Sequence, residues 1–119
     1  MTNKPNPKYD LEERTAKFGE NVIIYCKDIP ENSITKTIIT QLVKCGTSVG
    51  ANYGEADDAE SGRDFKHKIG ICKKESREAK HFIRMSVVAV PSLKEQSKPI
   101  WQEAKELNLI FNTIYRKIK

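Results

Sequence analysis

Residues Gln41 to Ala56 read QLVKCGTSVGANYGEA and combine a regular helical stripe with three glycines. The stripe recurs at alternating steps of three and four residues, which is the spacing of one face of an α-helix. Its members are Leu42, Cys45, Val49, Asn52 and Ala56. A glycine inside a helix costs about 1 kcal/mol relative to alanine. We therefore expect the three glycines, Gly46, Gly50 and Gly54, to offset that cost by letting another backbone approach closely.

Three further stretches show apolar residues at helical spacing. The first begins at Leu11, behind the capping residue Asp10, and ends before Pro30. The four predicted helices are residues 11–29, 33–56, 62–90 and 92–118. Amphipathic helices of this length joined by short links predict an all-α, antiparallel up-down four-helix bundle. At 119 residues the chain is expected to form a single domain, residues 1–119.

The start of the fourth helix has two interpretations. Ser92 with Glu95 three residues later is a capping-box pattern. Pro99 instead favours a first helical position, because proline has no backbone N–H to lose there. Both interpretations leave a helix long enough to complete the bundle.

Charge is distributed unevenly along the chain. The net charge is +5 overall, made up of −3 in residues 1–62, +5 in residues 63–84 and +3 in residues 85–119. A basic third segment indicates a negatively charged partner, although a solvated face is the commoner origin of a single charged run.

The cysteines and the polar residues at the start of the sequence bear on the cellular compartment of the protein. Cys26, Cys45 and Cys72 form no C-x-x-C pair and lie on or beside apolar stripes, which is typical of reduced, buried cysteines. Residues 1–9 are polar and give no sign of a signal peptide, and no apolar run reaches the roughly 20 residues of a membrane span. We expect a cytoplasmic protein.

The third predicted helix carries a row of basic residues. Spacings of 7, 4, 3 and 4 place them on one stripe about 27 Å long, with Gly70 as its one non-basic position. This basic stripe consists of Lys66, Lys73, Arg77, Lys80 and Arg84. Lys74 lies on an adjacent row with Arg63, His67 and His81.

Two interpretations of the basic stripe remain open. Like charges at these spacings repel one another, so an external counter-charge such as a nucleic-acid backbone is one interpretation. The other is a solvated face balanced by acids of a neighbouring helix or subunit, for example Glu12, Glu13 and Glu20. Aromatic residues are not interleaved with the stripe in the sequence, so backbone or shape recognition is expected rather than direct contact with bases.

Motifs for metal-dependent or nucleophilic chemistry are weak. Glu78 and His81 form one E-x-x-H pattern, but di-iron bundles require two copies that face inward. Neither histidine belongs to a nucleophile–base motif. Residues 55–60 contain four acids that could hold Mg²⁺, although acids near a helix start more often compensate the helix dipole. We expect no enzymatic activity, no metal and no cofactor.

Many short matches in register over residues 9–118 indicate a family. They are Tyr9 to Thr15 with Phe18, Gln41-Leu42, Ser48-Val49, Ala51 to Tyr53, Glu55-Ala56, Asp64-Phe65, Ile71 to Ser76, Glu103 to Leu107 and Ile110-Phe111. These stretches resemble the proteins encoded in intervening sequences of bacterial 23S rRNA genes. The resemblance implies a barrel-like homo-oligomer, a pentamer, of four-helix bundles, with nucleic-acid binding as the proposed role and no enzymatic activity. Through the related accessory variability determinant of diversity-generating retroelements, it also implies a reverse transcriptase as a protein partner.

Asn52 and Glu55 match the family's Asn-x-x-Glu signature. They either contact a ligand or form an inward polar network with Arg14 that fixes helix pairing or the subunit interface. We expect the network. Four aromatic residues that are predicted to be exposed would suit an oligomer interface, namely Tyr25, Tyr53, Trp101 and Tyr115.

Residues and resemblance together predict a non-catalytic, homo-oligomeric protein that binds an RNA or DNA backbone. The predicted binding residues are Lys66, Lys73, Lys74, Arg77, Lys80 and Arg84. The alternative is a protein-interaction scaffold whose basic face meets an acidic partner.

Overall fold

The chain folds into four helices, described here in a computed structural model that covers residues 10–118. The helices are α1 Leu11–Lys27, α2 Ser33–Asp57, α3 Gly62–Ala89 and α4 Lys94–Lys117, with a 3₁₀ turn at Pro91–Leu93 before α4. The described range contains no strand, so the all-α prediction is confirmed. Residues 1–9, on which the expectation of no signal peptide depends, lie outside the described residues.

The helices pack in a ring in which each contacts its neighbours along the chain and α4 closes on α1. Antiparallel packing follows from the contacts between individual residues. Gly50 near the end of α2 lies against Thr15 near the start of α1, and the earlier Gly46 lies against the later Val22. In the same way, Lys66 and Lys80 of α3 lie beside Tyr115 and Trp101 of α4, respectively. Helices α1 and α3 are therefore diagonal partners in the bundle.

Side-chain caps define the starts of the first three helices. Asp10 accepts a hydrogen bond of 3.2 Å from the backbone N–H of Glu13, as the sequence predicts. Asn32 and Thr35 form a reciprocal capping box at α2. The start of α4 differs from both predictions, because the helix begins at Lys94 after the 3₁₀ turn, with no side-chain cap, and Pro99 lies within it.

The core is built from the predicted stripes of all four helices. Fully buried side chains include Phe18 and Val22 of α1, Leu42 and Val49 of α2, Ile69 and Ile83 of α3, and Leu107 and Phe111 of α4. The three cysteines are also buried and unpaired, which confirms the prediction for these residues. Within residues 10–118, no helix combines the length and apolar character that a membrane span requires.

The glycines of α2 allow a close crossing with α1. A Cβ atom on Gly50 would lie 3.3 Å from the backbone carbon and oxygen of Thr15, and one on Gly46 would lie 2.8 Å from both methyl carbons of Val22. Close approach of another backbone is thus confirmed at Gly50, whereas Gly46 makes room for the side chain of Val22. The expectation of close approach is wrong for Gly54, where no atom lies within 4 Å of the added carbon.

Tyr25 corrects one prediction about exposed aromatic residues. Its side chain is buried, and its hydroxyl shares a hydrogen bond of 2.6 Å with the Ser86 hydroxyl across the diagonal of the bundle. A tyrosine can occupy a core when its polar end finds a partner. Burial raises the pKa of Tyr25.

Candidate nucleic-acid interface

The basic stripe lies along the side of α3 that faces α4. Lys66, Lys73 and Lys80 are half-buried because their stems run against α4, whereas Arg77 and Arg84 are exposed. Lys74 on the adjacent row is also exposed. The six predicted binding residues therefore form one basic surface, with the stems of Lys66, Lys73 and Lys80 held by packing and with Lys74 and both guanidinium groups in solvent.

The charges of this surface are not neutralised by ion pairs in the described part of the chain. Ion pairs among residues 10–118 involve other cations, namely Arg14, Lys17, Lys68 and Lys98. The acids Glu12, Glu13 and Glu20, considered as counter-charges from the sequence, are on α1, which is diagonal to α3. These three acids therefore do not neutralise the basic surface within the protomer.

Two aromatic residues of α4 lie beside the basic stripe. The Nζ atoms of Lys66 and Lys73 are 5.0 Å and 4.6 Å from the centre of the Tyr115 ring. The Nζ atoms of Lys80 and Lys105 are 5.8 Å and 5.6 Å from the centre of the Trp101 ring. These are distances at which a cation interacts with an aromatic face.

Gly70 makes room for one of these rings. A Cβ atom at this position would lie 3.2 Å from Cε2 of Tyr115, which is tighter than most such contacts. The one non-basic position of the stripe is thus the place where the ring of Tyr115 rests on α3. Sequence reasoning missed this arrangement, and the expectation that aromatic residues do not interleave with the stripe is wrong for the folded surface. The sequence contained one sign of this packing, which is the glycine at a position of the basic stripe.

The Tyr115 ring and the basic residues border a groove between α3 and α4. One part encloses about 510 Å³. It is lined by Gly70, Lys73, Lys74, Arg77, Lys80, Asn108, Asn112 and Tyr115. A second part of about 620 Å³ lies on the other side of Tyr115 and is lined in part by Arg63, Lys66 and His67. We call the two parts together the α3–α4 groove.

Amides on α4 fix the wall of the α3–α4 groove. The Asn108 side chain donates a hydrogen bond of 2.8 Å to the backbone oxygen of Lys73, and Asn112 donates one of 3.2 Å to Asn108. Asn108 is nearly buried, so its amide needs these partners. The pair holds α4 against the α3 backbone at the middle of the basic stripe.

The predicted network of Arg14, Asn52 and Glu55 does not form. Asn52 is half-buried and donates to the backbone oxygen and hydroxyl of Ser48, one turn earlier in the same helix. Glu55 instead pairs with Lys68 at 2.6 Å and joins α2 to α3. Arg14 pairs with acids of α4, Glu55 pairs with Lys68 of α3 and Asn52 bonds within α2, so the three residues share no network.

Arg14 ties α1 to α4. Its Nε lies 2.7 Å from a Glu103 carboxylate oxygen, and one of its terminal nitrogens lies 2.9 Å from Glu106. The hydrogen bond to Glu103 is the main reason that the pKa of Arg14 is raised. Hydrogen bonds from Gln102 and then Arg14 lower the pKa of Glu106.

Comparison with known proteins places the chain in a family. The model of the 23S rRNA-intervening sequence protein family matches residues 8–113. The chain belongs to this family. The fold is also similar to the 1.70 Å crystal structure of a protein of unknown function from the S23 ribosomal protein family of Bacteroides thetaiotaomicron VPI-5482. That similarity has a TM-score of 0.79 and 24% sequence identity, and covers 90% of this chain and 99% of the other. No curated protein matches the sequence.

Two other kinds of site, a metal site and a cysteine nucleophile, have little support in this 23S rRNA-intervening sequence protein. In the part of the chain that is described, no group of three or more histidine, cysteine, aspartate or glutamate side chains is placed to hold a metal ion. Burial raises the pKa of Cys26 to about 11 and those of Cys45 and Cys72 to about 12. A thiol that stays protonated is a poor nucleophile.

Proposed function

We propose that this protein is a non-catalytic, homo-oligomeric, cytoplasmic protein that binds the backbone of RNA or DNA through the basic surface of α3. The observation that carries the proposal is that the six basic residues of this surface have no ion-pairing carboxylate among residues 10–118. Phosphates would supply the missing counter-charge. Neutralising phosphates with lysine and arginine releases condensed cations and gives affinity without sequence preference.

The salt dependence of binding tests the number of phosphate contacts. Each neutralised phosphate contributes a slope of about −0.9 on duplex DNA and about −0.7 on single strands to a plot of log affinity against log salt. Five contacts by the basic stripe of one protomer predict a slope of roughly −3.5 to −4.5. Fluorescence anisotropy with labelled RNA and duplex DNA at about 50 to 200 mM salt would measure it.

A charge-reversal variant and a matched control locate the interface. Lys74, Arg77 and Arg84 are exposed, so replacing all three by glutamate should abolish binding while the far-ultraviolet circular dichroism stays unchanged. The control reverses three exposed lysines of α1 and α2, Lys27, Lys36 and Lys44. Both triple variants change the net charge equally, so equal loss of binding would show a non-specific charge effect and would contradict the proposed surface.

The protein-interaction scaffold is the main competing outcome. If the wild type binds neither RNA nor DNA at about 50 mM salt, nucleic-acid binding is refuted. Recovery of an acidic protein by pull-down, lost in the Lys74, Arg77 and Arg84 triple variant, would then support the scaffold. The resemblance to the accessory variability determinant of diversity-generating retroelements makes a reverse transcriptase the first partner to test.

Assembly into a pentamer is a further part of the proposal. Large apolar side chains remain exposed on the protomer, among them Ile24 at 59%, Ile34 at 67% and Val88 at 73%. Contacts between subunits would cover such side chains. Size exclusion with light scattering should give a mass near five times 13.6 kDa, and a monomer at micromolar concentration would refute assembly.

A further inference from the structure

Trp101 and Tyr115 lie on one side of α4 as two aromatic surfaces within the basic face. They are 14 residues apart, close to four full helical turns, so both point in nearly the same direction about 21 Å from each other. Each ring has two lysine ammonium groups near its centre, at 4.6 and 5.0 Å for Tyr115 and at 5.6 and 5.8 Å for Trp101. Aromatic rings beside a row of basic residues are the combination that single-strand-binding proteins use.

We propose that the α3–α4 groove, together with the Trp101 ring that lies next to Lys80 at its edge, binds single-stranded nucleic acid, with unpaired bases stacked on Tyr115 and Trp101 and phosphates held by the lysines. This inference rests on the proposed nucleic-acid binding and adds the class of ligand. A duplex offers its phosphates to the lysines but keeps its bases stacked on one another, so the two rings would gain nothing from it. A single strand can use both features of the groove. Stacking tolerates any base, because every base has an aromatic face.

The lysines near the rings do not prevent stacking. A cation on an exposed aromatic face changes an equilibrium by only about two- to fivefold. Stacking of a base on an aromatic side chain is worth about five- to 150-fold. When a single strand binds, each ammonium group moves from the ring to a phosphate and a base takes the vacated face. The stems of Lys66, Lys73 and Lys80 are half-buried against α4, so their ammonium groups remain close to the rings after this exchange.

The intrinsic fluorescence of Trp101 can report on stacking of a base against its ring. Trp101 is the one tryptophan in the sequence, so intrinsic tryptophan fluorescence reports on this ring alone. The ligands to compare are oligo(dT), oligo(U), a DNA of the same length that lacks bases, and a duplex, each of about 12 nucleotides or base pairs. The oligomer without bases keeps the phosphates and removes the stacking. The expected result is quenching of Trp101 fluorescence by oligo(dT) or oligo(U) and none by the oligomer without bases.

Affinities of ring variants give the second measurement. Trp101→Leu and Tyr115→Leu should each weaken oligo(dT) or oligo(U) binding about fivefold or more, and should leave binding of the oligomer without bases unchanged. Trp101→Phe and Tyr115→Phe keep a ring and should retain most of the affinity. Tyr53→Leu removes an aromatic side chain that packs on Phe111 away from the groove, so it controls for a general loss of packing. Thermal melting checks that every variant folds.

The possible results separate this inference from the proposed function. Equal affinity of the wild type for oligo(dT), oligo(U) and the oligomer without bases would overturn stacking and leave backbone binding intact. Tighter binding of the duplex than of both single strands would overturn it too. Failure to bind any of the four ligands would refute the proposed function and this inference together. The ratio of the oligo(dT) and oligo(U) affinities assigns the preferred sugar.

Discussion

Gly46 and Gly54 lie two turns apart on α2 and predict opposite effects of replacement by alanine. A Cβ atom at Gly46 would lie 2.8 Å from both methyl carbons of Val22 and 3.0 Å from its Cβ. Val22 is fully buried and branched at Cβ, so it has little freedom to move aside. At Gly54 the added carbon would meet no atom within 4 Å.

The expected free energies follow from two opposing effects. Both variants gain about 1 kcal/mol of helix propensity. Overpacking a buried site costs about 1 to 3 kcal/mol, and contact with three atoms of one rigid side chain puts Gly46→Ala at the upper end of that range. We expect Gly46→Ala to lower the free energy of unfolding by about 1 to 2 kcal/mol and Gly54→Ala to raise it by about 0.5 to 1 kcal/mol.

Urea unfolding followed by circular dichroism measures both variants, at one protein concentration because assembly contributes to apparent stability. The double variant Gly46→Ala with Val22→Ala provides the test of mechanism. Removing the Val22 methyl groups opens space for the new carbon, so the double-mutant cycle should show a favourable coupling of about 1 to 2 kcal/mol. Equal stability of Gly46→Ala and Gly54→Ala, or zero coupling, would refute close packing of α1 on α2 as the reason for the glycine.

Three further predictions concern ion pairing, pH and metals. Arg14→Met should lower the free energy of unfolding by about 1 kcal/mol, because it breaks half-buried contacts with two carboxylates. The control, Lys17→Met, breaks an exposed ion pair and should lower the free energy of unfolding by less than about 0.5 kcal/mol in the same urea titration. Burial raises the pKa values of the three thiols from 9.0 to about 11 or 12. Their contribution to the free energy of unfolding is therefore fully present below pH 9. It is lost as the pH rises toward 11 or 12, because the unfolded chain deprotonates first. The loss by pH 10 should be about 1 kcal/mol per thiol, and Cys72→Ala, compared between pH 8 and pH 10, should lose about that much less than the wild type. Elemental analysis should find no stoichiometric iron, manganese or zinc, and one or two ions per chain that disappear in His81→Ala would contradict the non-enzyme proposal.

The helical stripes could be predicted because they depend on spacing alone. Ile69, Cys72, Ala79 and Ile83 follow one another at steps of three, seven and four residues, and all four are buried in the structure. Such a pattern needs no knowledge of which helix covers it. The same local logic predicted the Asp10 cap, which requires only the next three residues.

Partners of polar side chains could not be predicted in the same way. Arg14 was expected to join Asn52 and Glu55, but its carboxylate partners are Glu103 and Glu106, some 90 residues away in the chain. Spacing along one helix shows which residues share a face, and leaves open which neighbour meets that face. The identity of that neighbour depends on the order of the helices around the ring, and this order cannot be read from any single helix.

The α3–α4 groove combines both cases. Helical spacing alone placed the basic residues on one side of α3, so the charged half of the surface was visible in the sequence. The aromatic half comes from α4 and becomes a neighbour only through antiparallel pairing of the two helices. Gly70 connects the halves, because its missing side chain lets the Tyr115 ring approach the helix between Lys66 and Lys73. In the proposed single-strand complex, the basic residues would bind the phosphates and the Tyr115 ring, which rests on α3 at Gly70, would stack with a base.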